Sequence, residues 1–558
     1  MKKIISFLNT DIKIINSYFL FTIVLIILVC VGYSSYALFS FTKTSNNVIE
    51  GVVGKIEKQP NAPVLASNMI PVYYDEINDV WKKADKNNKK ISATYKLGDV
   101  NEDGELDIMD AFTIGRYLSG NVIFTQTQKL AADVDGDGKI TENDRELIRQ
   151  YLAETINTFP AGTPFEEKTE TVINRWYSYN STGEYKGMWA NAVTVISSSR
   201  SKYLNAKQGT AISMDDITTM WVWIPRFNAV TPSNYNGGTQ AKPNAIDVTF
   251  VKQNETAIDA FTFGNKQLSG FWYGKFETSH TTLASITTGN NLGCTNETCS
   301  NANNILIKPN LVSLRYNSVS NFFFASRSME QTGNSFGFVS SEVDTHMSKN
   351  NEWGAVAYLT QSIYGRCTSS TTCSEVYINN SSGHYTGRSG GNVGGSTPVN
   401  GTYTDQTSTT THNTYGFYTY DDYLLNYNTN TKGNKVKGKG TGASTTGTIY
   451  GIYDMSGGTL EYVMGVYSNT ISSSRFSSLP DTKYYNNYTG SSYTGHALTE
   501  TKNWYSDSAF LVNSSHPWFW RSSSCSNADS TSAGVFYFHH GDGNSNSGIS
   551  SRLVISNE

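Results

Sequence analysis

Hydrophobic and polar residues follow three different patterns along the 558 residues of this chain. Residues 18–31 are almost all apolar, and further apolar residues extend this segment to about residue 40. Two later segments repeat apolar residues three or four positions apart, which predicts amphipathic helices. These residues are Phe112, Ile114, Tyr117 and Leu118, and then Leu147, Ile148, Tyr151 and Leu152. From about residue 172, short aromatic and β-branched runs are separated by glycine-rich polar stretches, which predicts strands joined by turns and long loops.

The apolar segment at 18–40 is long enough to cross a bilayer as a helix. Three lysines precede it, which favours a cytoplasmic N-terminus at 1–17 and an uncleaved transmembrane anchor, followed by a linker at 41–64. A cleaved signal peptide is the alternative, because residues 35–37, Ser-Tyr-Ala, form an acceptable cleavage site. Both interpretations place the remaining residues outside the cytoplasm, either anchored at the cell surface or secreted.

Two acidic loops, 99–110 and 133–144, share one twelve-residue spacing. Each has oxygen-bearing residues at positions 1, 3, 5, 9 and 12, glycine at 6 and a backbone carbonyl at 7. This spacing lets a loop wrap around calcium, which takes about six to eight oxygen ligands. The ligands expected are Asp99, Asn101, Asp103, the carbonyl of Glu105, Asp107 and Asp110, and then Asp133, Asp135, Asp137, the carbonyl of Lys139, Thr141 and Asp144. A solvated acidic turn is the alternative for one loop, but two matching copies favour two structural calcium ions.

The segment before the first loop distinguishes this unit from an EF-hand, in which helices lie on both sides of the loop. Residues 95–98, Tyr-Lys-Leu-Gly, are too short for an incoming helix. Leu106 and Ile140, at loop position 8, are expected to pack the two loops together. The duplicated loop and helix closely resemble a type I dockerin over residues 95–158. The resemblance implies a small all-α module that calcium folds and that binds a cohesin domain on another protein.

Partner choice in that family depends partly on loop positions 10 and 11 and on the helix that follows. The resemblance therefore implies partner-binding roles for Ile108, Met109 and Arg116 in the first repeat and for Glu142, Asn143 and Arg149 in the second. The Ser/Thr pair of many dockerins is absent here, and the two repeats differ. This difference argues against two equivalent binding orientations.

The large region at 172–558 resembles the formylglycine-generating-enzyme-like fold, a C-type-lectin-like α+β architecture. The resemblance rests on the order of WVWIPRF at 221–227, GFWYGKFETS at 270–279, EWGAVAYL at 352–359, GIYDMSGG at 451–458, and segments around Arg521 and Arg552. The chain as a whole is therefore predicted to be α+β. It would consist of a transmembrane helix, an all-α dockerin and a large, loop-rich lectin-like domain.

Departures from that family argue against its oxidase activity. Gly458 stands where asparagine is usual, Tyr462 where tryptophan is usual, and serines follow Arg521 in place of two glycines. The oxidases hold copper with a pair of cysteines near the C-terminus, whereas here Cys525 stands alone in that area. One thiolate does not make that two-coordinate site. We therefore expect no such oxidation.

Four other cysteines form two close pairs in polar sequence, Cys294 with Cys299 and Cys367 with Cys373. Such pairs in an exported protein predict local disulfides, and free thiols are the alternative.

Residues 65–90 contain a strand-like pattern that continues after the dockerin, around residues 175–194. The dockerin is therefore expected to be inserted in an exposed loop of one surface domain.

The composition of the chain argues against nucleic-acid binding as its function. The net charge is −4 and charged residues are only 16 %, so no basic surface for nucleic acid is expected. The aromatic run at 518–520 fits core packing better than stacking on sugar rings.

The sequence favours a bacterial cell-surface protein whose dockerin docks a cohesin-bearing partner, while the lectin-like domain presents or binds a carbohydrate or protein ligand. The alternative is a cellulosome-type component of polysaccharide degradation, with a divergent catalytic or carbohydrate-binding C-terminal domain.

Overall fold

The computed structural model describes residues 60–557 with short gaps, the longest at 282–291, 390–400, 403–410 and 526–532. The apolar segment at 18–40, predicted to be a membrane anchor, lies outside the described residues. Within the described part of the chain, no helix is both long enough and apolar enough to cross a membrane.

A seven-stranded antiparallel sheet is the largest sheet of the described chain. Its strands, in chain order, are β1 (Ile70–Asp75), β2 (Val80–Lys83), β3 (Asn191–Val195), β4 (Ile217–Pro225), β5 (Gly270–Gly274), β6 (Val343–Met347) and β7 (Leu553–Asn557). They lie side by side in the order β6-β7-β5-β4-β3-β1-β2. Strands β3, β5 and β6 are buried at every position, because other parts of the chain cover both faces of the sheet.

The chain leaves and re-enters this sheet through neighbouring strands. Strand β1 pairs with β3, with Ile70 opposite Val193. Between them, Lys90–Lys96 and Glu167–Ile173 pair along their whole length as a two-stranded antiparallel ribbon. The calcium-loop region thus begins and ends at the same end of one ribbon.

Three helices lie beyond the ribbon: α1 (Ile108–Leu118), α2 (Gln126–Ala132) and α3 (Glu142–Leu152). Helices α1 and α3 follow the two acidic loops and pack against each other. They share a small core, separate from that of the large region. Its buried members are Tyr95, Leu97, Val100, Ala111, Ile114, Phe124, Ala131, Ala132, Val134, Ile148 and Phe159. Leu106 and Ile140, at position 8 of the two loops, pack against this core.

Among its described residues, the large region contains three further α-helices, α4 (Ser197–Asn205), α5 (Val319–Ser328) and α6 (Asn350–Thr360). Every residue of α6 is buried, so this helix is surrounded by the core. Gly354 is required on it, because a Cβ there would lie 2.5 Å from the carbonyl carbon of His496. Single turns of 3₁₀ helix lie at Asn234–Gly237, Asp259–Phe261, Ala302–Asn304, Gly440–Ala443, Thr482–Tyr484, Thr499–Thr501 and Trp504–Ser506.

The remaining strands form smaller sheets. A five-stranded sheet contains Leu460–Tyr467, Asn486–Tyr488, Trp518–Ser522, Phe538–Gly541 and Ile549–Ser551. A four-stranded sheet contains Arg388–Ser389, Tyr415–Thr419, Tyr423–Asn426 and Lys432–Lys435. The two-stranded pairs are Phe227–Ala229 with Val248–Phe250, Thr262–Phe263 with Lys266–Gln267, Ser279–His280 with Ile305–Leu306, Cys294–Thr295 with Thr298–Cys299, Cys367–Ser369 with Thr372–Cys373, and Gly401–Thr402 with Thr411–His412.

Two of these short hairpins carry the cysteine pairs. In the structure a disulfide joins Cys294 to Cys299, and a second joins Cys367 to Cys373. Each bond links the two strands of its own hairpin. Cys525 is buried and belongs to neither disulfide.

Candidate metal centre

The first acidic loop is closed by its last residue. Asp110 lies in the first turn of α1 and is fully buried. Its Oδ1 accepts hydrogen bonds from the backbone N–H groups of Val100 (2.7 Å) and Asn101 (3.1 Å), and its Oδ2 accepts one from Asp107 N–H (2.9 Å). One carboxylate therefore holds both ends of the loop together.

The second loop repeats this construction. The Oδ1 of Asp144 accepts from Asp135 N–H (3.2 Å), and its Oδ2 accepts from Thr141 N–H (2.8 Å). In each repeat the residue at position 9 is also the N-cap of the following helix, where its side chain accepts from a backbone N–H. The loop and the start of the helix are thus one structure, specified by the same residues.

Three of the carboxylates expected to bind the metal in loop two lie together. In loop two, one carboxylate oxygen from each of Asp133, Asp135 and Asp137 lies within 4.8 Å of the other two. In loop one, Oδ1 of Asp99 is buried and has no hydrogen-bond partner in the described structure. Such clustered oxygens suit a hard divalent cation, which would compensate their charge.

The backbone turns as the loops require. Gly104 and Gly138 have φ values of +89° and +81°, a left-handed conformation that side chains rarely adopt. The next residues, Glu105 and Lys139, have exposed side chains. Their backbone N–H groups donate to Asp103 (2.9 Å) and Asp137 (2.7 Å). These two residues therefore suit a role through the backbone alone.

Burial makes the loop carboxyls reluctant to ionise on their own. It raises the pKa of Asp110 to about 6, although the backbone N–H groups that bond this carboxylate lower it. Burial also raises the pKa values of Asp99, Asp133 and Asp144. A bound cation would favour the ionised forms. The donor set of both loops therefore fits calcium.

The outer surface of the two repeats differs. Four large apolar side chains of the first repeat are exposed, namely Ile108 (58 %), Met109 (46 %), Phe112 (53 %) and Leu118 (40 %). In the second repeat, Glu142, Asn143 and Glu146 stand at the positions of the first three and are exposed. Arg116 and Arg149 are also exposed. The periodic apolar pattern predicted an amphipathic helix, but two of its members, Phe112 and Leu118, are exposed and do not lie on the buried face.

Phe112 is exposed because α1 packs against α3 on one side only and buries Ile114 there. A comparison of the two repeats in the sequence would have predicted the exposure of Phe112. A residue that packs into a shared core should remain apolar in both copies, as Ile114 and Ile148 do, whereas Phe112 corresponds to Glu146.

Several aromatic and acidic residues of the large region have structural roles. Trp518 and Phe519 are fully buried, in agreement with the core packing that the sequence favoured for them. Glu461 forms a buried ion pair with Arg552 (2.6 Å), and Asp454 accepts from Asn379 Nδ2 (2.8 Å), so both carboxylates are satisfied internally. Across the described residues, the three aspartates of loop two form the one group of three or more Asp, Glu, His or Cys side chains with ligand atoms close together.

The match to a family of known proteins agrees with this geometry. Residues 97–153 match the family described as Dockerin type I domain. One similar solved structure is a complex of the ScaB dockerin with the third ScaC cohesin from Acetivibrio cellulolyticus (38 % identity, 12 % of this chain and 94 % of that chain, TM-score 0.12). Another is the Coh-OlpC–Doc435 type I cohesin–dockerin complex from Clostridium thermocellum (33 % identity, 12 % of this chain and 94 % of that chain, TM-score 0.11).

A search of curated proteins finds no match. The family match covers both acidic loops and both helices that follow them. Type I dockerins bind calcium, in agreement with the donor set described above. Residues 97–153 of this chain form a type I dockerin domain.

Proposed function

We propose that the dockerin docks this chain onto a cohesin-bearing partner and that two calcium ions, one in each loop, fold the docking surface. The observation that carries the proposal is the double role of Asp110 and Asp144. Each closes a calcium loop and stands in the first turn of the helix that follows. Metal binding and helix orientation are therefore coupled in both repeats.

Calcium is needed because the loops concentrate negative charge. Asp133, Asp135 and Asp137 repel one another until a cation lies between them, and Asp99 keeps an unpartnered buried oxygen. The binding energy of the ion thus becomes folding energy. The partner is a cohesin, as in the solved complexes of similar dockerins.

We propose further that the first repeat makes the main contact. Its exposed apolar residues, Ile108, Met109 and Phe112, form a surface that a protein partner would bury. The corresponding residues of repeat two are already engaged within the domain. Asn143 Nδ2 donates to Asp135 (2.6 Å), and Glu142 pairs with Arg145 (2.8 Å). One binding orientation is therefore favoured over two.

For the large region we propose a lectin-like domain, 65–90 and 172–558, that displays the dockerin, residues 95–158, at the cell surface. The pairing of β1 with β3 across the inserted dockerin supports this division. The WVWIP and GFWYG blocks lie in adjacent strands, β4 and β5, with Ile224 opposite Phe271. A cellulosome-type component with a catalytic or carbohydrate-binding C-terminal domain is the second candidate, and the cohesin partner fits it equally.

The test is binding of the full chain to a panel of cohesin domains, measured by calorimetry with and without calcium. Asp103→Ala and Asp137→Ala should each reduce affinity at least about 100-fold, because each removes a ligand and weakens the helix that follows. Glu105→Ala and Lys139→Ala are matched controls, because these positions contribute a backbone carbonyl, and they should bind as the native chain does. Binding that survives calcium removal would refute the proposal.

A further inference from the structure

The dockerin is joined to the large region by the two-stranded ribbon alone in sequence. Seven consecutive residue pairs join Lys90–Lys96 to Glu167–Ile173 in antiparallel register. Among the described strands, no third strand pairs with this ribbon. A two-stranded ribbon outside a larger sheet is at best marginally stable in water. Its pairing therefore depends on what holds its two ends together.

The dockerin closes one end of the ribbon. Tyr95, within the ribbon, and Leu97, directly after it, are buried members of the dockerin core. The N–H of Leu97 donates to the carbonyl of Glu166 (3.0 Å), and the carbonyl of Leu97 accepts from Phe165 N–H (2.7 Å). The first calcium loop starts two residues later, at Asp99. The residues that complete the ribbon thus also build the dockerin core.

The large region fixes the chain on the other side of the ribbon. On the outgoing side, Trp81 and Ala84 are buried in its core. On the returning side, Trp176 is fully buried, and its Nε1 donates to the carbonyl of Asn191 (2.7 Å). Both ends of the inserted segment, residues 85–175, are therefore anchored in the large region.

This topology makes the insertion a long loop of the large region whenever the dockerin is unfolded. Closing a flexible loop costs conformational entropy, and the cost grows with the logarithm of the loop length. The folded dockerin and its ribbon remove most of this cost, because they hold Lys90 opposite Ile173. The aspartates of loop two repel one another until a cation lies between them. Calcium therefore controls whether the large region has to close a flexible loop of 91 residues.

We propose that calcium binding by the dockerin stabilises the fold of the large region through the ribbon, with no ion required outside the dockerin. The inference rests on the calcium-dependent folding proposed above and adds a second consequence to it. Because linked equilibria are reciprocal, the folded large region also raises the calcium affinity of the loops. The protein would therefore reach its full stability only where calcium is abundant.

Tryptophan fluorescence of the full chain tests this inference, because all ten tryptophans lie outside residues 95–158 and report on the large region. The Tm from this signal should be about 3 °C higher in millimolar calcium than in a chelator, as expected from the entropy of closing the loop. Asp103→Ala with Asp137→Ala should abolish the rise. Glu105→Ala with Lys139→Ala is the matched control and should keep it, because these positions offer backbone carbonyls.

A second variant tests the route through the ribbon. Flexible linkers of about ten glycine and serine residues, inserted after Lys89 and after Ile173, should reduce the rise in Tm by about half. Calcium stoichiometry, measured by calorimetry, should stay the same. One such linker after Thr332, in an exposed turn of the large region, is the matched control and should leave the rise unchanged. A full rise in the chain with both ribbon linkers would refute the role of the ribbon.

The other outcomes separate this inference from the docking proposal. A chain that binds calcium but unfolds at the same Tm with and without it would overturn the inference and leave the proposed function intact. A chain that binds no calcium would overturn both. A rise that survives Asp103→Ala with Asp137→Ala would mean that the ion acts on the large region directly, which also refutes the inference. No cohesin is present, so a failure of docking alone leaves these measurements unaffected.

Discussion

The two dockerin repeats have the same interior and different surfaces. Both loops are closed by a buried aspartate at position 12, and both helices begin at position 10 and contain 11 residues. At positions 10, 11 and 14, however, the first repeat exposes Ile108, Met109 and Phe112, and the second exposes Glu142, Asn143 and Glu146. The residues that face inward, which close the metal loops, are thus shared, whereas those that face outward differ between the repeats.

The surface residues also differ in their internal contacts. Asn143 and Glu142 bond to side chains of their own repeat, to Asp135 and Arg145. Met109 and Ile108 have no polar side-chain atoms with which to form such bonds, and more than two-fifths of each side chain is exposed. In the proposed docking, the first repeat would present the binding surface, whereas the second repeat uses the same positions for contacts within the fold.

The largest effect is expected from giving the first repeat the surface of the second. Ile108→Glu with Met109→Asn should weaken cohesin binding about 100-fold, roughly 2.8 kcal/mol, because two apolar contacts become charged or polar. This loss of affinity is measured by calorimetry at millimolar calcium, with a cohesin that binds the native chain.

The matched control is Glu142→Ala with Asn143→Ala in the second repeat, which should change cohesin affinity less than about twofold. Equal losses in the two variants would mean that both repeats bind, and the distinction between them would fail. Calcium stoichiometry should be unchanged in both variants, because none of these side chains is an expected ligand.

A smaller effect is expected at position 14. Phe112→Ala should weaken cohesin binding about tenfold, roughly 1.4 kcal/mol, because the exposed half of an aromatic ring loses its contact. Glu146→Ala, the equivalent change in repeat two, should have no measurable effect. A calcium titration followed by circular dichroism checks that α1 remains folded in the Phe112 variant, and a loss of helix would assign the effect to folding.

The smallest effect is the pH dependence of calcium binding. The pKa of Asp110 is raised in the folded domain from its ordinary 3.8 to about 6, so this carboxyl destabilises the calcium-free fold as pH rises from 4 to 6. Calcium requires the ionised form. Calcium binding near pH 6 should therefore release protons and be weaker than at pH 8.

Calorimetry in buffers of different ionisation enthalpy measures the protons released. Asp110→Asn should abolish the proton release that accompanies calcium binding in loop one. The proton release from loop two should remain, because burial also raises the pKa of Asp144. Proton release that is the same at pH 6 and pH 8 would contradict the expected role of burial.

Much of the dockerin could be predicted from contiguous sequence. The ligand positions, the glycine turns and the starts of α1 and α3 all depend on residues within one loop, so their spacing specifies them. Helix α2 was missed, because its short segment, QTQKLAA, has weak apolar periodicity and is stabilised by packing against the ribbon. In the large region, GFWYG at 270–274 and EWGAVAYL at 352–359 do form a strand and a helix.

The sequence by itself determined the chemistry of this protein: two oxygen-lined loops that suit calcium, each joined to the helix it orients. Only the tertiary structure decided which apolar residues stay exposed, as Phe112 does, and which remote segments meet. Strands β1 and β3 lie 116 residues apart yet are neighbours. Ligand spacing is local, whereas burial depends on distant parts of the chain.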